Sequence, residues 1–255
     1  MAADIHVFKC LQDNIGALIR DPATGACAAI DAPEEAAVVA ALEETGWTLS
    51  DIIVTHSHWD HVQGLEALKA RYGCRVVAPA KAVDLADIAD TTVAEGDTIM
   101  IGEMAAKVWE TPGHCADHVV YWFETDKLLA AGDVIFVMGC GRVFGEDYGG
   151  LWNSLKRVRE LPDDTTVIVG HDYTLSNAHF ALKADRGNAV LQKRVHEAEA
   201  AAKEKRLFGV TTIGEEKATN PFLRAREPEI AASVELKGAP EDVVFRALRE
   251  WKNKG

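Results

Sequence analysis

The sequence has few cationic residues and no long apolar segment. Among its 255 residues, 27 Lys and Arg stand against 40 Asp and Glu, which gives a formal net charge of −13. Proteins that bind nucleic acid usually present a basic surface to the phosphate backbone, so no nucleic-acid partner is expected. No apolar run approaches the roughly 20 residues that a transmembrane helix needs, so no membrane partner is expected either.

Closely paired cysteines are also missing. The chain has five cysteines, an odd number without a Cys-x-x-Cys pair: Cys10, Cys27, Cys74, Cys115 and Cys140. Disulfide frameworks use even sets, and structural zinc knuckles use closely spaced pairs. We therefore expect buried thiols in a reducing cytosol. The first residues show no basic segment leading into an apolar one, so a secretory signal is not expected and the predicted location is cytoplasmic.

What the sequence does contain is a dense run of metal-binding side chains, His56-Ser-His58-Trp-Asp60-His61, directly after the apolar residues 51–55. Imidazoles and carboxylates are the ligands that two adjacent divalent metals need. If the segment stays extended, His56 and His58 point the same way and can share one metal. Asp60 and His61 lie just beyond, where the chain must turn into a helix, and could hold a second ion.

Three more apolar runs end in a His or an Asp in the same way. The runs and the residues that follow them are 106–110 with His114, 128–131 with Asp133, and 166–169 with His171. Ligands that follow four separate strands are expected to converge on one sheet edge, as in layered α/β proteins. Asp133 is a candidate bridge, because one Asp can offer an oxygen to each metal. Two metals held in this way would hold a hydroxide between them and polarise a carbonyl, which indicates metal-assisted hydrolysis.

Each candidate ligand has a plainer alternative. The His56–His61 run could be an accidental His-rich loop, which its spacing disfavours. Taken alone, His114 could be a turn histidine and Asp133 a turn or helix-cap residue. The remaining histidines have no such context and are expected at the surface or in the core: His6, His118, His179 and His196.

The rest of the chain predicts an α/β fold followed by helices. Short strands are expected at 4–8, 15–20 and 26–31, and helices at 34–45, 64–71 and 153–161. Past about residue 172 the composition is helical throughout, with helices expected at 177–184, 189–205 and 242–252. We therefore predict a catalytic domain over residues 1–171 and an all-helical substrate-binding domain over residues 172–255.

The ligand motifs together resemble the metallo-β-lactamase superfamily. They are Thr55-His-Ser-His-Trp-Asp-His61, Thr-Pro-Gly-His114, Gly-Asp133 and Gly-His171, and the resemblance covers most of residues 5–172. It implies an αββα sandwich with a dinuclear metal site at one edge. The resemblance assigns His56, His58 and His114 to one metal, assigns Asp60, His61 and His171 to the other, and makes Asp133 the bridge.

The sequence is more closely similar to glyoxalase II, the hydroxyacylglutathione hydrolases. The shared motifs are His58-Trp-Asp-His61, Gly132-Asp-Val-Ile-Phe136 running into Gly139-Cys-Gly141, Gly170-His-Asp-Tyr-Thr174 followed by Asn177, and Asn220-Pro-Phe-Leu-Arg224. This family hydrolyses the thioester S-D-lactoylglutathione to glutathione and D-lactate, the second step of methylglyoxal detoxification. The resemblance implies two divalent metal ions per chain. Zinc is the expected metal, and iron and manganese are the alternatives. A monomer or weak homodimer is expected.

The resemblance also implies a substrate site. The positions expected to bind the glutathione thioester are Arg142, Phe144, His171, Tyr173, Arg249 and Lys252. Glutathione carries carboxylates, so an acidic chain needs local cations to bind it. Many family members have Tyr where this chain has Phe144, so one hydroxyl contact is lost here. A solvated charged helix face is the alternative interpretation of Arg249 and Lys252.

The expected mechanism is hydrolytic. A hydroxide held by the two metals attacks the thioester carbonyl, one metal stabilises the oxyanion, and the thiolate leaves without needing a proton. Asp60, His61 and Asp133 are the expected catalytic residues, with Asp60 also orienting the hydroxide. Cys115 and Cys140 are expected to be packing residues.

Several rival functions fit the motifs less well. A lactonase or β-lactamase would keep the metals but would have less use for a cationic helical tail. A persulfide dioxygenase resembles this fold with a single iron, whereas both ligand sets are complete here. The acidic charge disfavours a tRNA-processing nuclease, and His58 stands where flavodiiron reductases usually have Glu. A metal-free binding module would predict broken ligand sets.

Overall fold

A computed structural model describes residues 2–254, which form two facing β-sheets with helices on both outer sides. The strands of the first sheet, which lie in chain order, are β1 Asp4–Cys10, β2 Asn14–Arg20, β3 Cys27–Ile30, β4 Leu49–Ile53, β5 Arg75–Pro79 and β6 Thr91–Val93. The first three strands are antiparallel, and the pairs from β3 to β6 are parallel.

The second sheet is also mixed. In chain order the remaining strands are β7 Thr98–Ile101, β8 Met104–Glu110, β9 Val119–Phe123, β10 Leu128–Gly132, β11 Ile135–Phe136, β12 Gly139–Cys140, β13 Thr166–Val169 and β14 Val210–Thr212. The spatial order is β14-β13-β10-β9-β8-β7, and β11 pairs with β12 in a separate small hairpin. Every residue of β9 and β10 is buried, as expected for strands covered on both faces.

The helices of residues 2–254 are α1 Glu35–Thr45, α2 Trp59–Val62, α3 Leu65–Tyr72, α4 Tyr148–Arg159, α5 Thr174–Ala184, α6 Ala189–Lys203, α7 Ile213–Thr219, α8 Pro228–Ser233 and α9 Glu241–Asn253. Helix α4 begins five residues before the predicted start at residue 153. The side chain of Asp147 caps it by accepting a hydrogen bond from the Gly150 backbone N–H at 2.8 Å. No helix within residues 2–254 has the length and apolar character needed to cross a membrane.

Two apolar clusters confirm the predicted αββα sandwich. Leu18 and Ile52 of the first sheet pack with Val38 and Leu42 of α1 and Leu68 of α3. A larger cluster fills the space between the sheets and continues under the helices of the other outer layer. Burying both faces of each sheet in this way leaves the strand ends as the place where polar side chains can gather.

The region after residue 172 is helical as predicted, except for one strand, so the expectation that it is all-helical was wrong. Strand β14 pairs antiparallel with β13 and extends the second sheet at its edge. Its three residues, Val-Thr-Thr, are too few to show an alternating pattern, and their pairing partner lies about forty positions earlier. Thr212 then caps α7 through a capping box with Glu215.

The predicted convergence on one sheet edge was also wrong in detail. Strand β4, which precedes the His56–His61 run, belongs to the first sheet, whereas β8, β10 and β13 belong to the second. The ligands therefore meet in the space between two sheet edges. The short helix α2 turns Asp60 and His61 back toward this space directly after β4.

Candidate metal centre

Three imidazole nitrogens of the first ligand set meet at one point. Nδ1 of His58 lies 3.0 Å from Nε2 of His56 and 3.0 Å from Nε2 of His114. His56 and His114 are buried, and His58 is partly exposed toward the cavity. The extended backbone between His56 and His58 therefore does place both rings on the same side.

The second ligand set gathers close by. Nε2 of His61 lies 3.2 Å from Nε2 of His171, which lies 3.3 Å from Oδ2 of Asp60. Asp133 reaches both sets, because Oδ1 lies 3.5 Å from His61 Nε2 and Oδ2 lies 3.5 Å from His114 Nε2. The structure thus brings together all seven predicted ligands.

Hydrogen bonds at the far side of the His56 and His114 rings turn a lone pair of each toward the centre. Thr55 Oγ1 donates to an Asp31 carboxylate oxygen, so it accepts from Nδ1 of His56 at 2.9 Å. Nδ1 of His114 donates to the Arg142 carbonyl at 2.9 Å. The acceptors fix the tautomers, and the inward nitrogens are left unprotonated to bind a metal.

Carboxylates support the second set in the same way. Nδ1 of His61 lies 2.8 Å from Oδ2 of Asp31, and Nδ1 of His171 lies 2.9 Å from Oδ1 of Asp13. Asn14 donates through Nδ2 to Oδ2 of Asp60 at 3.0 Å. The outer nitrogens of His61 and His171 are thereby satisfied and their Nε2 atoms face inward, while Asn14 holds the Asp60 oxygen that lies toward His171.

The donor set fits divalent cations. Unprotonated nitrogens 3.0 Å apart repel one another unless a cation lies between them, and Oδ1 of Asp133 is buried without a hydrogen-bond partner within residues 2–254. Groups of metal-binding atoms within 4.8 Å of each other include His56, His58 and His114 in one case and Asp60, His61 and His171 in another. The residues present therefore form His/Asp clusters suited to metal binding.

The surroundings shift the pKa values of the histidines in the two sets in opposite directions. Burial lowers the pKa of His56 and of His114, so both are neutral and ready to bind metal. Burial opposes the charged form of His61 too, but the carboxylates of Asp133 and Asp31 outweigh it and raise its pKa to about 9. Hydrogen bonding to His171 holds the pKa of Asp60 well below its usual range, so that carboxylate is ionised.

Sequence reasoning missed three supporting residues and undervalued a fourth. Asp31, Asp13 and Asn14 were not singled out, although Asp31 ends the 26–31 run and so carries the same strand-end signal as the ligands. His118, expected to be a surface or core residue, is buried. Its Nε2 accepts a hydrogen bond from the Asp133 backbone N–H at 2.9 Å.

Cys115 and Cys140 both lie near the site. The Cys115 sulfur is within reach of the first ligand set, and burial raises the pKa of its thiol, as it does for Cys140. Neither thiol is therefore an activated nucleophile. This agrees with their expected role in packing.

A cavity of about 450 Å³ opens beside the metal-binding clusters. It is lined by His58, Asp60, His114, Asp133, Phe136, Cys140, Arg142, Phe144, His171, Tyr173, Ser176, Asn177, Arg249 and Lys252. All six residues expected to bind substrate are in this group. The ring of Tyr173 stacks on His171 with centroids 4.8 Å apart, and Phe144 lies edge-on to His58 at 5.5 Å.

The two cations of α9 that line the cavity are held differently. Arg249 is buried, and its Nη1 donates to the Cys140 carbonyl at 2.9 Å, while its Nε is buried without a partner within residues 2–254. Lys252 lies at the cavity wall with its Nζ 3.4 Å from Ser176 Oγ. Burial and the neighbouring Arg249 lower the pKa of Lys252 to about 8.

The loop over residues 137–141 follows the Asp133 ligand and is bound by side chains from later in the chain. Asn177 donates to the Val137 carbonyl at 3.0 Å, and Asn220 donates to the Gly139 carbonyl at 2.8 Å. Arg249 binds the Cys140 carbonyl, as described above. These bonds satisfy backbone carbonyls of β12 and of the turn before it from outside the β11–β12 hairpin.

A buried carboxylate completes this support. Glu216 accepts a hydrogen bond from the Met138 backbone N–H at 2.8 Å, at a residue with a φ of 54°. The same carboxylate pairs with Arg194 at 2.8 Å, and both side chains are buried. The helical region therefore fixes the shape of the 137–141 loop as well as lining the cavity.

Comparison with known proteins agrees with this fold and site. Residues 16–171 match the metallo-beta-lactamase superfamily, the class of protein that the sandwich and its His/Asp clusters define. Residues 172–255 match the hydroxyacylglutathione hydrolase C-terminus. The chain belongs to the hydroxyacylglutathione hydrolase family, also called glyoxalase II.

The relatives cover the whole chain. A hydroxyacylglutathione hydrolase of Methylobacterium sp. (strain 4-46) is 56% identical over 252 residues, covering 98% of this chain and 99% of its own. One of Rhodopseudomonas palustris (strain BisA53) is 51% identical over 254 residues, covering 100% of both chains. Among solved structures, ETHE1 from Myxococcus xanthus superposes with a TM-score of 0.66 at 27% identity, covering 100% of both chains.

Proposed function

We propose that this chain hydrolyses S-D-lactoylglutathione, a 2-hydroxyacyl thioester, to glutathione and D-lactate. The observation that carries the proposal is that one cavity is lined both by the metal-binding cluster and by the cations Arg142, Arg249 and Lys252. A glutathione thioester needs both, because its carbonyl must meet a Lewis acid while its distant carboxylates meet positive charge. Membership of the family supports the same substrate.

We further propose that each chain binds two divalent metal ions, with zinc as the preferred metal. His56, His58 and His114 would hold one, Asp60, His61 and His171 the other, and Asp133 would bridge them. Metals bound there would lower the pKa of a water molecule and polarise the thioester carbonyl. Histidine and carboxylate ligands also suit iron and manganese.

The chain's own residues then orient the reactants. The Asp60 carboxylate is ionised and the residue is partly exposed, so it can accept a hydrogen bond from the attacking water. Burial raises the pKa of Tyr173, so its hydroxyl stays protonated and can donate to the tripeptide. Arg249 and Lys252 bind the substrate carboxylates at the far end of the cavity. The glutathione thiolate is a stable leaving group and needs no general acid.

The proposal also assigns a role to each of the two predicted domains. Residues 1–171 would form the catalytic domain and residues 172–255 the helical region that binds substrate. We propose a cytoplasmic enzyme that works as a monomer or weak homodimer.

A thioesterase assay tests the proposal directly. The purified chain should turn over S-D-lactoylglutathione much faster than a lactone, a β-lactam or glutathione persulfide, and metal analysis should find about two equivalents per chain. Asp133→Asn, which keeps the side-chain shape but removes the bridging charge, should lower kcat by about 10³-fold. Glu229→Gln, an exposed change on α8, is the matched control. If the chain does not hydrolyse the thioester but turns over one of the other three substrates, the proposal is overturned.

A further inference from the structure

Residues 11–14, which comprise the turn between β1 and β2 and the first residue of β2, reach across to the second ligand set. The Ile15 backbone N–H donates to the Gly170 carbonyl at 2.8 Å, and the Asp172 N–H donates to the Asp13 carbonyl at 2.8 Å. Asn14 and His171 form an isolated β-bridge between these segments. The turn is therefore fastened by its backbone on both sides of His171.

Two neighbouring side chains of this turn each touch a different ligand. Asp13 places Oδ1 2.9 Å from Nδ1 of His171. Asn14, which is buried, donates Nδ2 to Oδ2 of Asp60 at 3.0 Å and to its backbone carbonyl at 3.1 Å. One dipeptide thus orients two of the three residues that would hold the second metal.

The first ligand set has no comparable support from this turn. His56 bonds to its neighbour Thr55, and His114 bonds to the backbone carbonyl of Arg142, the residue directly after the 137–141 loop. Nothing that holds those rings comes from residues 11–14. A change in the turn should therefore act on one metal position and spare the other.

We propose that Asp13 and Asn14 are positioning residues that set the occupancy of the second metal position, and the inference rests on the proposed dinuclear function. Asp13 holds the tautomer and the direction of His171. Asn14 donates to Oδ2 of Asp60, the oxygen that lies 3.3 Å from Nε2 of His171, and so holds that carboxylate oxygen facing the second ligand set. Removing either contact frees a ligand to rotate, and such supporting contacts typically change metal affinity by about 10- to 100-fold.

The experiment measures metal binding, with no need for turnover. Asp13→Ala and Asn14→Ala chains are dialysed against chelator-buffered zinc, and bound metal per chain is determined. We expect the weaker of the two dissociation constants to rise by about 10- to 100-fold and the other to stay unchanged. Manganese-loaded variants should likewise replace the coupled two-ion EPR spectrum with that of an isolated ion. Gln12→Ala, an exposed change in the same turn, should bind like the wild type.

The outcomes separate the inference from the proposed function. If the wild type binds two metals and both variants bind two with unchanged constants, the inference is wrong and the function stands. If the wild type itself binds fewer than two, the proposed dinuclear function fails first. Asp13→Asn keeps the size of the side chain, and a normal thermal melt by circular dichroism excludes unfolding. Equal loss of both metals in that folded variant would also overturn the inference.

Discussion

The region up to residue 171 and the region after it contribute to the same cavity in different ways. The first region supplies side chains whose lone pairs point into the site, from positions just after strands. The second supplies side chains that bind backbone groups of the 137–141 loop, along with two cations on α9. The difference teaches that the helical region is part of the construction of the metal-binding half, and not only a binding surface placed beside it.

Glu216→Gln should have the largest effect, because it leaves Arg194 buried without its charged partner. We expect the free energy of unfolding to fall by about 3 kcal/mol. Gln has one acceptor oxygen where the carboxylate has two, so it can no longer accept from both Arg194 and the Met138 N–H, and kcat should fall as the loop loses this support. Urea unfolding and steady-state kinetics measure both. The exposed Glu229→Gln should change stability by less than about 0.5 kcal/mol. Unchanged stability and kcat in Glu216→Gln would mean that the helical region does not support the loop.

Arg249→Ala should change both kinetic constants. Losing a buried charged donor should raise KM for S-D-lactoylglutathione by about 10- to 100-fold, and kcat should fall because the Cys140 carbonyl loses its partner. Arg246→Ala, an exposed change on the same helix, is the control and should leave both constants unchanged. A rise in KM alone would restrict Arg249 to substrate binding, and no change in KM would remove it from the site.

Lys252 should give substrate binding a pH dependence. Its pKa is lowered to about 8, so the ammonium is present below that pH and is lost as the pH rises through it. Because the charged form binds a carboxylate, KM should be lowest below pH 8 and rise above it by about fivefold. Lys252→Arg stays charged throughout and should flatten the profile. The test is to measure the wild-type KM from about one pH unit below this pKa to about one unit above it. A KM that stays constant over that range would contradict this assignment.

Phe144→Tyr should have the smallest effect. The ring is about half exposed and faces the cavity beside His58, so a new hydroxyl can hydrogen-bond the tripeptide. One such bond should lower KM by about two- to fivefold. Phe144→Leu, which removes the ring without adding a hydroxyl, should not lower KM. An unchanged KM in the Tyr variant would show that this part of the loop lies outside the substrate contact.

The seven side chains predicted as ligands do lie together in the structure, and the sequence could single them out because their signal is local. Each one follows an apolar run, and His56, His58, Asp60 and His61 lie within one short segment. The supporting residues have no local signal of that kind. The carboxylate that holds His171 comes from a residue 158 positions earlier, and Glu216 reaches a backbone N–H 78 positions away. Pairs of this kind depend on tertiary packing.

The errors in fold prediction have the same origin. Strand β14 is three residues long and gains its stability from β13, which no window of sequence around Val210 reveals. The division of the ligand strands between two sheets is also a matter of pairing. A strand-end pattern says that polar side chains will gather at an edge, but not which edge each strand joins.

The long separations along the chain have a consequence for synthesis in the cell. The His171 to Asp13 contact and the Arg249 to Cys140 contact span 158 and 109 residues. A nascent polypeptide folds from its N-terminal side as it emerges, and contacts between distant segments form late. The side chains of the first set, and the Arg142 carbonyl that bonds His114, have all been synthesised before His171, which the second set requires. Assembly of the second cluster is therefore tied to a later stage of folding than assembly of the first.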